Sequence, residues 1–487
     1  MILSTLLILL KNCWGIKMSN NKNSYTKAAL FYIIANCIGQ GFALLSNIIF
    51  TRIMSKEYYG LYTNYYSIVS LLTPFVGANL FIGLNTGYFD FKDNRKQFRA
   101  SIAFLSLIVF LGFSACAVLL FAVLKCFNVV DFSFLVIMAA LIHAYSFFVV
   151  NFYSNFENME NHFKVKSLLM ILPNLLQILF SILLILCLKN NSYYERVLGS
   201  VSGVFVCALP LLVIMFFRSG SVIRPDYYKY ALKISVPSIL SSIAYMIMQQ
   251  SDHVMITHFV GAEATAVYGL VYLIGNILYA FLQATSGAFQ SWLYHALDSS
   301  QEDNIKKIQK WYLFFFLFLA YGLMMVAPEL VKILAPETYW DFRYIPPFVA
   351  GSSLMVLVNM ESSVGEFHKK TGRISLCVAL AAIINIVLNY IFIRKIGAIA
   401  ASYTSLFSYL VLSIILFAVI NKLHKHIYSI KYMILYFIAI IIGCAIFFAV
   451  GNNIALRYVV FILILGLLLF FIFRKKDEVM AIVRGGK

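Results

Sequence analysis

Fourteen apolar stretches, each long enough or nearly long enough to cross a lipid bilayer, fill this chain and constrain its fold. A helix needs about 20 residues to cross roughly 30 Å of hydrocarbon. With 62% hydrophobic and 12% charged residues, little of the chain is left for a soluble domain. The sequence therefore predicts an all-α integral membrane protein with about fourteen transmembrane helices. The stretches are 28–50, 65–89, 100–124, 132–153, 167–188, 197–217, 234–256, 267–291, 311–327, 347–365, 374–393, 398–420, 432–450 and 454–473.

The basic residues are distributed unevenly between the two sides of such a chain. With the N-terminus placed in the cytoplasm, 28 of the 38 Lys and Arg residues fall in cytoplasmic loops and termini, and 10 fall on the opposite side. An excess of Lys and Arg in short loops marks the cytoplasmic face, so both termini are predicted to be cytoplasmic. The net charge of +18 is then a topology signal with an affinity for anionic leaflet lipid. Nucleic acid is not a predicted partner.

The eight cysteines indicate neither a disulfide framework nor a metal site. They lie mostly within apolar stretches and lack a ligand spacing such as C-x-x-C, so they are interpreted as small hydrophobic residues of helices. No metal and no cofactor is predicted.

An internal repeat relates the two halves of the chain. Residues 52–62 align with 258–268 at an offset of 206, and residues 164–167 align with 372–375 at an offset of 208. Six stretches separate the copies, and an even number preserves orientation. Parallel repeats about an axis along the membrane normal are therefore predicted, with substrate at their interface.

The repeat and the apolar stretches together predict how the chain is organised. Residues 1–17 are interpreted as an upstream start-site artefact, with Met18 as the natural start; the alternative is an interfacial tail. The predicted segments are an N-terminal cytoplasmic segment 1–27, a first six-helix bundle 28–217, a cytoplasmic linker 218–233, a second six-helix bundle 234–420, two extra transmembrane helices 432–473 and a basic cytoplasmic tail 474–487.

Polar side chains recur at helical spacing on corresponding stretches of both halves. On the eighth stretch, polar residues from Tyr268 to Gln290 follow each other at steps of three and four, which keeps one side of a helix polar. In hydrocarbon such a face must contact protein or water, so we predict a hydrated substrate cavity; the alternative is that these residues join helices to each other. The predicted cavity residues are Asn36, Gln40, Asn47, Arg52, Tyr62, Tyr66, Tyr245, Gln249, Tyr268, Tyr272, Asn276, Tyr279 and Gln283.

Two acidic residues, Asp252 and Glu361, lie inside the apolar stretches. A carboxylate removed from water can take up a proton more readily, so Asp252, its neighbour His253 and Glu361 are candidates for H⁺ or Na⁺ coupling. The alternatives are a hydrated acid near the outer interface for Asp252, and pairing with the basic loop 369–373 for Glu361. Arg457, in the first turn of the last stretch, is expected to reach the outer interface.

Two segments carry a resemblance to a known family. One runs from a basic loop, His368-Lys-Lys-Thr, through an Asn385-x-x-x-Asn389 helix to a Gly397-Ala-x-x-Ala helix start; the other covers 51–62 and contains Glu-Tyr-Tyr-Gly-Leu-Tyr. The chain resembles polysaccharide-transport flippases (O-antigen, capsule and teichoic type) of the multidrug/oligosaccharidyl-lipid/polysaccharide exporter superfamily. The resemblance implies two parallel six-helix bundles plus two C-terminal helices in the bacterial cytoplasmic membrane.

The resemblance also implies a function. A flippase of this kind moves a polyprenyl-diphosphate-linked oligosaccharide, the repeat unit of an O-antigen or exopolysaccharide, across the membrane by alternating access. It has membrane lipids and polysaccharide polymerase machinery as partners, and it is not an enzyme. One departure is that no arginine follows Gly83-Leu-Asn-Thr86, so no phosphate ligand is predicted there. The alternatives are a cation-coupled multidrug-type exporter and, less favoured, a membrane glycosyltransferase or polymerase.

Overall fold

The computed structural model describes residues 22–127, 133–160, 162–188, 192–217, 223–299, 301–451 and 453–474. Within these ranges the chain forms α-helices and three short 3₁₀ helices, and no β-strand. The predicted all-α fold is confirmed. The helices are α1 Lys22–Ile53, α2 Lys56–Val76, α3 Leu80–Asp90, α4 Arg95–Cys126, α5 Phe134–Met159, α6 Phe163–Leu188, α7 Tyr193–Phe217, α8 Pro225–Phe259, α9 Ala262–Asp298, α10 Glu302–Leu334, α11 Ile345–Phe367, α12 Thr371–Ile396, α13 Ile399–Leu423, α14 Ile430–Val450 and α15 Ile454–Arg474.

Most of these helices are long and apolar enough to cross a membrane. Among the described residues, eleven pass this test individually, from α4 to α14, and the bent pair α2–α3 passes as one span. Shorter apolar segments lie in α1, at Ile38–Ile53, and in α15, at Ile454–Gly466. The chain is therefore a multi-pass membrane protein, while the count of fourteen spans stays a prediction.

The second predicted span, 65–89, is broken rather than continuous. α2 ends at Val76, α3 begins at Leu80, and the two helices meet at an angle of 49°. Pro74 removes a backbone hydrogen bond just before the break, and Ala78 and Asn79 take left-handed φ angles of 45° and 50°. The Asn79 amide donates to the Ser242 hydroxyl of α8 at 2.7 Å, so a polar partner stabilises the break.

The helix boundaries confirm the internal repeat. Corresponding helices of the two halves begin or end 206 or 208 residues apart, including helices outside the segments aligned by sequence. The pairs are Ile53 and Phe259 at helix ends, and Lys56 and Ala262, Phe163 and Thr371, and Tyr193 and Ile399 at helix starts.

The chain packs into two compact units. The first comprises 23–269 with 334–339, and the second comprises 270–333 with the described residues from 340 onwards. In the first unit α7 packs on α5 and α6, and α2 packs on α5 and α8. In the second unit α11 is almost wholly buried and packs on α12, α13 and α14. Although the repeat assigns α8 and the start of α9 to the second bundle, they pack within the first unit.

Candidate functional site

The first unit contains a seam where the two sequence repeats contact each other. We define the repeat seam as 47–63 of α1 and α2 against 262–269 of α9 and the segment 334–339. A Cβ atom on Gly60 would lie 1.8 Å from the Ala262 carbonyl oxygen, and one on Gly269 would lie 2.7 Å from Cγ2 of Thr63. Because Thr63 and Gly269 are equivalent positions at an offset of 206, the seam brings equivalent parts of the two repeats into close contact.

Polar contacts extend the seam to the segment 334–339. The Leu334 carbonyl accepts hydrogen bonds from the Thr51 hydroxyl at 3.0 Å and from the Arg52 guanidinium at 3.3 Å. The Tyr59 ring meets the Tyr339 ring edge-on at 5.8 Å, and burial raises the pKa of the Tyr339 hydroxyl. The segment 334–339 is therefore held to the end of α1 and the start of α2, although it is distant from both in the sequence.

Two predicted cavity residues, Asn47 and Tyr62, bond inside this region. The Asn47 side-chain oxygen accepts a hydrogen bond from the Tyr59 hydroxyl, and Asn47 is 8% exposed. The hydroxyl of Tyr62 shares a hydrogen bond of 2.8 Å with Ser200 of α7. Both side chains connect helices in this arrangement.

A buried arginine, Arg196, lies among the aromatic side chains of the same region. It is 4% exposed, and its guanidinium carbon lies 3.7 Å from the Tyr62 ring centroid, 4.0 Å from that of Phe50 and 5.1 Å from that of Tyr59. No carboxylate in the described part of the chain lies within ion-pair distance of it, and its Nε lacks a hydrogen-bond partner. The three ring faces therefore supply much of the compensation for a buried positive charge.

The acid predicted for ion coupling in α8 is buried in the first unit. Asp252 is 2% exposed, and its carboxylate accepts a hydrogen bond from the hydroxyl of Tyr268, the first residue of the predicted α9 stripe. The His253 ring meets the Tyr268 ring edge-on at 5.0 Å. The three residues form one cluster, although the sequence interpretation placed Tyr268 and Asp252 in separate roles.

The other predicted acid, Glu361, is buried in α11 of the second unit. It is 1% exposed, and it accepts a hydrogen bond of 3.3 Å from the Ser413 hydroxyl of α13, while its second oxygen has no hydrogen-bond partner. The alternative that it pairs with the basic loop 369–373 is wrong, since no ion pair joins them within the described ranges. Glu361 is separated from the basic loop because it lies in the buried interior of α11.

Arg457 departs from the sequence expectation. It is 1% exposed, and its guanidinium forms an ion pair with Glu329 of α10 and donates to the Gly451 carbonyl at 3.3 Å. The expectation that it reaches the outer interface is wrong, because a carboxylate from another helix provides a partner inside the second unit.

The rest of the α9 stripe belongs to the second unit. Tyr272 packs edge-on against Phe348 at 5.8 Å. Gln283 is exposed and donates to the Tyr279 hydroxyl at 2.6 Å, and Asn276 is half-buried. This part of the stripe is more open than Tyr268.

The remaining predicted residues lie on α1, α2 and α8. Gln40 is exposed, and Tyr245 and Gln249 are half-buried. Tyr66 is 40% exposed and meets the His143 ring at 6.3 Å. Asn36 lies on α1, but its side chain is outside the described residues.

The paired asparagines that carry the family resemblance are buried between α12 and α13. Asn389 donates to Asn385 at 3.2 Å and accepts a hydrogen bond from Thr404, and Asn385 donates to Ser405 at 3.2 Å. The motif therefore joins two helices through side-chain amides. In the described part of the chain, no three His, Cys, Asp or Glu side chains group in a way that could hold a metal ion.

Sequence reasoning missed Arg196 and Glu329. From the sequence, both are assigned to loops, because one predicted stretch begins at 197 and another ends at 327. The available signal for Arg196 was its position one residue before a predicted span, on the side of the membrane with few basic residues.

The comparisons with known proteins agree with this architecture. A sequence model described as "Polysaccharide biosynthesis protein" matches residues 25–289. No curated protein matches the sequence. Among solved structures, the chain is similar to the lipid II flippase MurJ in an inward closed conformation, with a TM-score of 0.63 and 14% identity over 92% of this chain and 99% of that one.

Two multidrug transporters share the fold with comparable TM-scores and sequence identities. An inward-facing multidrug resistance MATE family transporter of the MOP superfamily aligns with a TM-score of 0.59 and 14% identity, covering 85% of this chain and 97% of that one. A variant of the Vibrio cholerae MATE transporter VcmN aligns with a TM-score of 0.53 and 11% identity, covering 84% and 100%. The helices adopt the fold shared by MurJ and the MATE transporters. Because the family model matches more than half of the chain, the chain belongs to the polysaccharide biosynthesis protein family.

Proposed function

We propose that this protein is a flippase that moves a polyprenyl-diphosphate-linked oligosaccharide, the repeat unit of a surface polysaccharide, across the bacterial cytoplasmic membrane. The observation that carries the proposal is the family match over 25–289. The similarity to a lipid II flippase supports it at the level of the fold. The protein is proposed to transport its substrate without changing it covalently.

The chemistry of such a substrate explains why a protein is needed. A glycan headgroup is strongly hydrated and its diphosphate is anionic, so an unassisted crossing would cost the desolvation of every polar group. Exposed or half-exposed polar and aromatic side chains such as Tyr66, Gln249, Asn276 and Gln283 can contact a headgroup in place of water. Tyrosine rings offer flat faces to sugars and a hydroxyl for hydrogen bonding. We propose that these residues line the transport route.

The repeat seam is proposed as the part that separates during transport. Gly60 lies against the backbone of Ala262, Gly269 lies against the Thr63 side chain, and an ion pair of 4.0 Å joins Lys56 to Glu263. The close approach at Gly60 and Gly269 and a partly exposed ion pair are weak contacts, so we propose that 47–63 can separate from 262–269 at less cost than unpacking a helix core. Alternating access needs a contact that closes the route on one side of the bound substrate and separates when the other side closes.

A disulfide across the seam tests this role. Thr63→Cys with Gly269→Cys in a cysteine-free background places two Cβ atoms close enough for a disulfide, since a Cβ on Gly269 would already contact the Thr63 side chain. Oxidation should stop transport and reduction should restore it, while each single variant stays active. Full transport by the oxidised double variant would exclude the seam as a gate.

Flipping itself can be measured in proteoliposomes. A polyprenyl-diphosphate-linked oligosaccharide carrying a dithionite-quenchable label on the glycan should become fully quenchable when the protein is present, and about half quenchable in protein-free vesicles. Equal quenching in both preparations would contradict the proposal.

The alternative is a cation-coupled multidrug-type exporter. The buried Asp252 and the shared MATE fold favour it as the second candidate. Accumulation of an organic cation such as ethidium in the same vesicles, driven by a pH or Na⁺ gradient and without glycan flipping, would establish this function instead.

The orientation is proposed from the charge bias. Reporter fusions after Lys125 and Arg457 should read external, and fusions after Arg224 and Lys425 should read cytoplasmic. A cytoplasmic location of the fusion after Arg457 would contradict the fourteen-span topology.

A further inference from the structure

The second unit contains a cavity at one end of its helices that neither the polar stripes nor the repeat seam uses. Its volume is about 510 Å³, and it lies between the start of α10, the end of α13 and the segment leading into α14. This volume is in the range of sites that hold small ligands or headgroups. Its wall includes Lys306, Phe417, Asn421, His426, Tyr428 and Ile430.

Hydrogen bonds fix the segment that forms this cavity. Tyr428 is buried and donates to the Met360 carbonyl at 2.9 Å. The Ser429 backbone N–H donates to the Gln309 side chain at 2.8 Å, and that side chain donates back to the Ser429 carbonyl at 3.3 Å. The wall is therefore anchored to α10 and α11 at two consecutive residues.

A fourth hydrogen bond shapes the turn that carries His426. Its φ angle is +59°, and its backbone N–H donates to the Asn421 side chain at 3.0 Å. The bond compensates for a backbone conformation that side-chain-bearing residues rarely adopt. His426 is thus held at the cavity by local geometry.

The basic residues of the wall favour an anion. Lys306 and His426 lie on the wall, and no acidic residue lines it. Asp303 forms an ion pair with Lys306 at 3.8 Å, but the Asp303 side chain is 94% exposed, so water largely screens the pair. Glu302 is already engaged by His424 at 3.2 Å. An anionic ligand would meet a cation that is only weakly neutralised.

The apolar part of the wall favours a ligand with an attached hydrocarbon chain. Phe417 lies six residues before the end of α13, about 9 Å along the helix, so the cavity reaches from the helix ends towards membrane depth. Ile430 is 57% exposed beside it, and Ile434 and Leu435 continue an exposed apolar surface along α14. The charge bias assigns this end of the helices to the cytoplasm.

We propose that this cavity binds the phosphate headgroup of a lipid from the inner leaflet, with Lys306 facing the phosphate and Ile430 beside the hydrocarbon chain. Anionic glycerophospholipids and polyprenyl phosphates share this chemistry. The site goes beyond the proposed flippase function and does not depend on it, because it requires only a membrane lipid to bind.

Lipid binding to the purified full-length protein in detergent tests the proposal, with phosphatidylglycerol, undecaprenyl phosphate and inorganic phosphate as three separate probes. Native mass spectrometry would give the dissociation constants. Lys306→Gln should weaken lipid binding about fivefold, as expected for loss of one basic residue near a phosphate, and His426→Asn should weaken it less. Lys307→Gln, an exposed neighbour outside the cavity wall, is the matched control and should bind as wild type.

Each outcome decides the proposal. A loss of affinity for either lipid in Lys306→Gln but not in Lys307→Gln supports the site. The lipid that binds more tightly shows which class of lipid the site prefers. Equal loss in Lys306→Gln and Lys307→Gln would mean diffuse charge attraction and overturn it, as would unchanged binding in both. Full competition by inorganic phosphate would overturn the lipid part. Because binding is measured without flipping, a failure here leaves the flippase proposal untouched, and the reverse also holds.

Discussion

The aromatic rings around Arg196 predict a measurable coupling between Arg196 and Tyr62 in the free energy of unfolding. Burying a guanidinium costs several kcal/mol even after relaxation. A cation–π contact at a desolvated site returns about 2 kcal/mol, and rings at 3.7, 4.0 and 5.1 Å surround Arg196. The cost and the return nearly cancel. Arg196→Met should therefore change the free energy of unfolding by no more than about 1 kcal/mol.

Removing the Tyr62 ring should cost more free energy of unfolding in wild type than in the Arg196→Met variant. In wild type, Tyr62→Leu loses the 3.7 Å contact, about 2 kcal/mol, and the hydrogen bond to Ser200, about 0.6–1 kcal/mol, for a total near 3 kcal/mol. In the Arg196→Met background only the second loss remains. The predicted coupling is about 2 kcal/mol. Tyr62→Phe keeps the ring and loses the hydrogen bond to Ser200, so in the Arg196→Met background it should cost about 0.6–1 kcal/mol.

Reversible unfolding in mixed micelles titrated with dodecyl sulfate, followed by circular dichroism, would give the four free energies of the cycle. Additivity of distant sites holds to about 0.3–0.5 kcal/mol. A coupling below that limit would refute the view that ring faces compensate the buried charge.

Three further perturbations follow from the same structure. Glu329→Gln should lower the free energy of unfolding by about 3 kcal/mol, the lower end of the range for a broken buried pair, because Glu329 is 26% exposed. Thermal melting should show partial recovery when Arg457→Met is added, and a further loss would contradict the pairing. Asp252→Asn, at matched expression, should slow transport and flatten its pH dependence, whereas wild-type flipping and pH response would exclude a coupling role. In a cysteine-free background, Gln283→Cys should react with a membrane-impermeant maleimide and Phe281→Cys, on another face of α9, should not; equal protection of both would favour helix packing over a hydrated route.

The residues that carried the resemblance have a physical role that the sequence did not indicate. The Asn385 and Asn389 amides bond within the pair α12–α13, so the motif marks a helix–helix contact. A spacing of four residues places two amides on one helix face, but it does not say what that face meets. The same ambiguity applies to the stripe of α9, where Tyr268 is fully buried and Gln283 is exposed.

The sequence by itself determined the helical class, the positions of most helices and the repeat, since each depends on local properties. Hydropathy sums over consecutive residues, and a repeat is read from the chain alone. Tertiary structure alone decided the fate of individual polar groups. Arg457 and Glu329 are 128 residues apart, and the rings around Arg196 come from α1 and α2. Whether a buried charge is compensated depends on which helices pack together, and the free energy of that packing is not local in the chain.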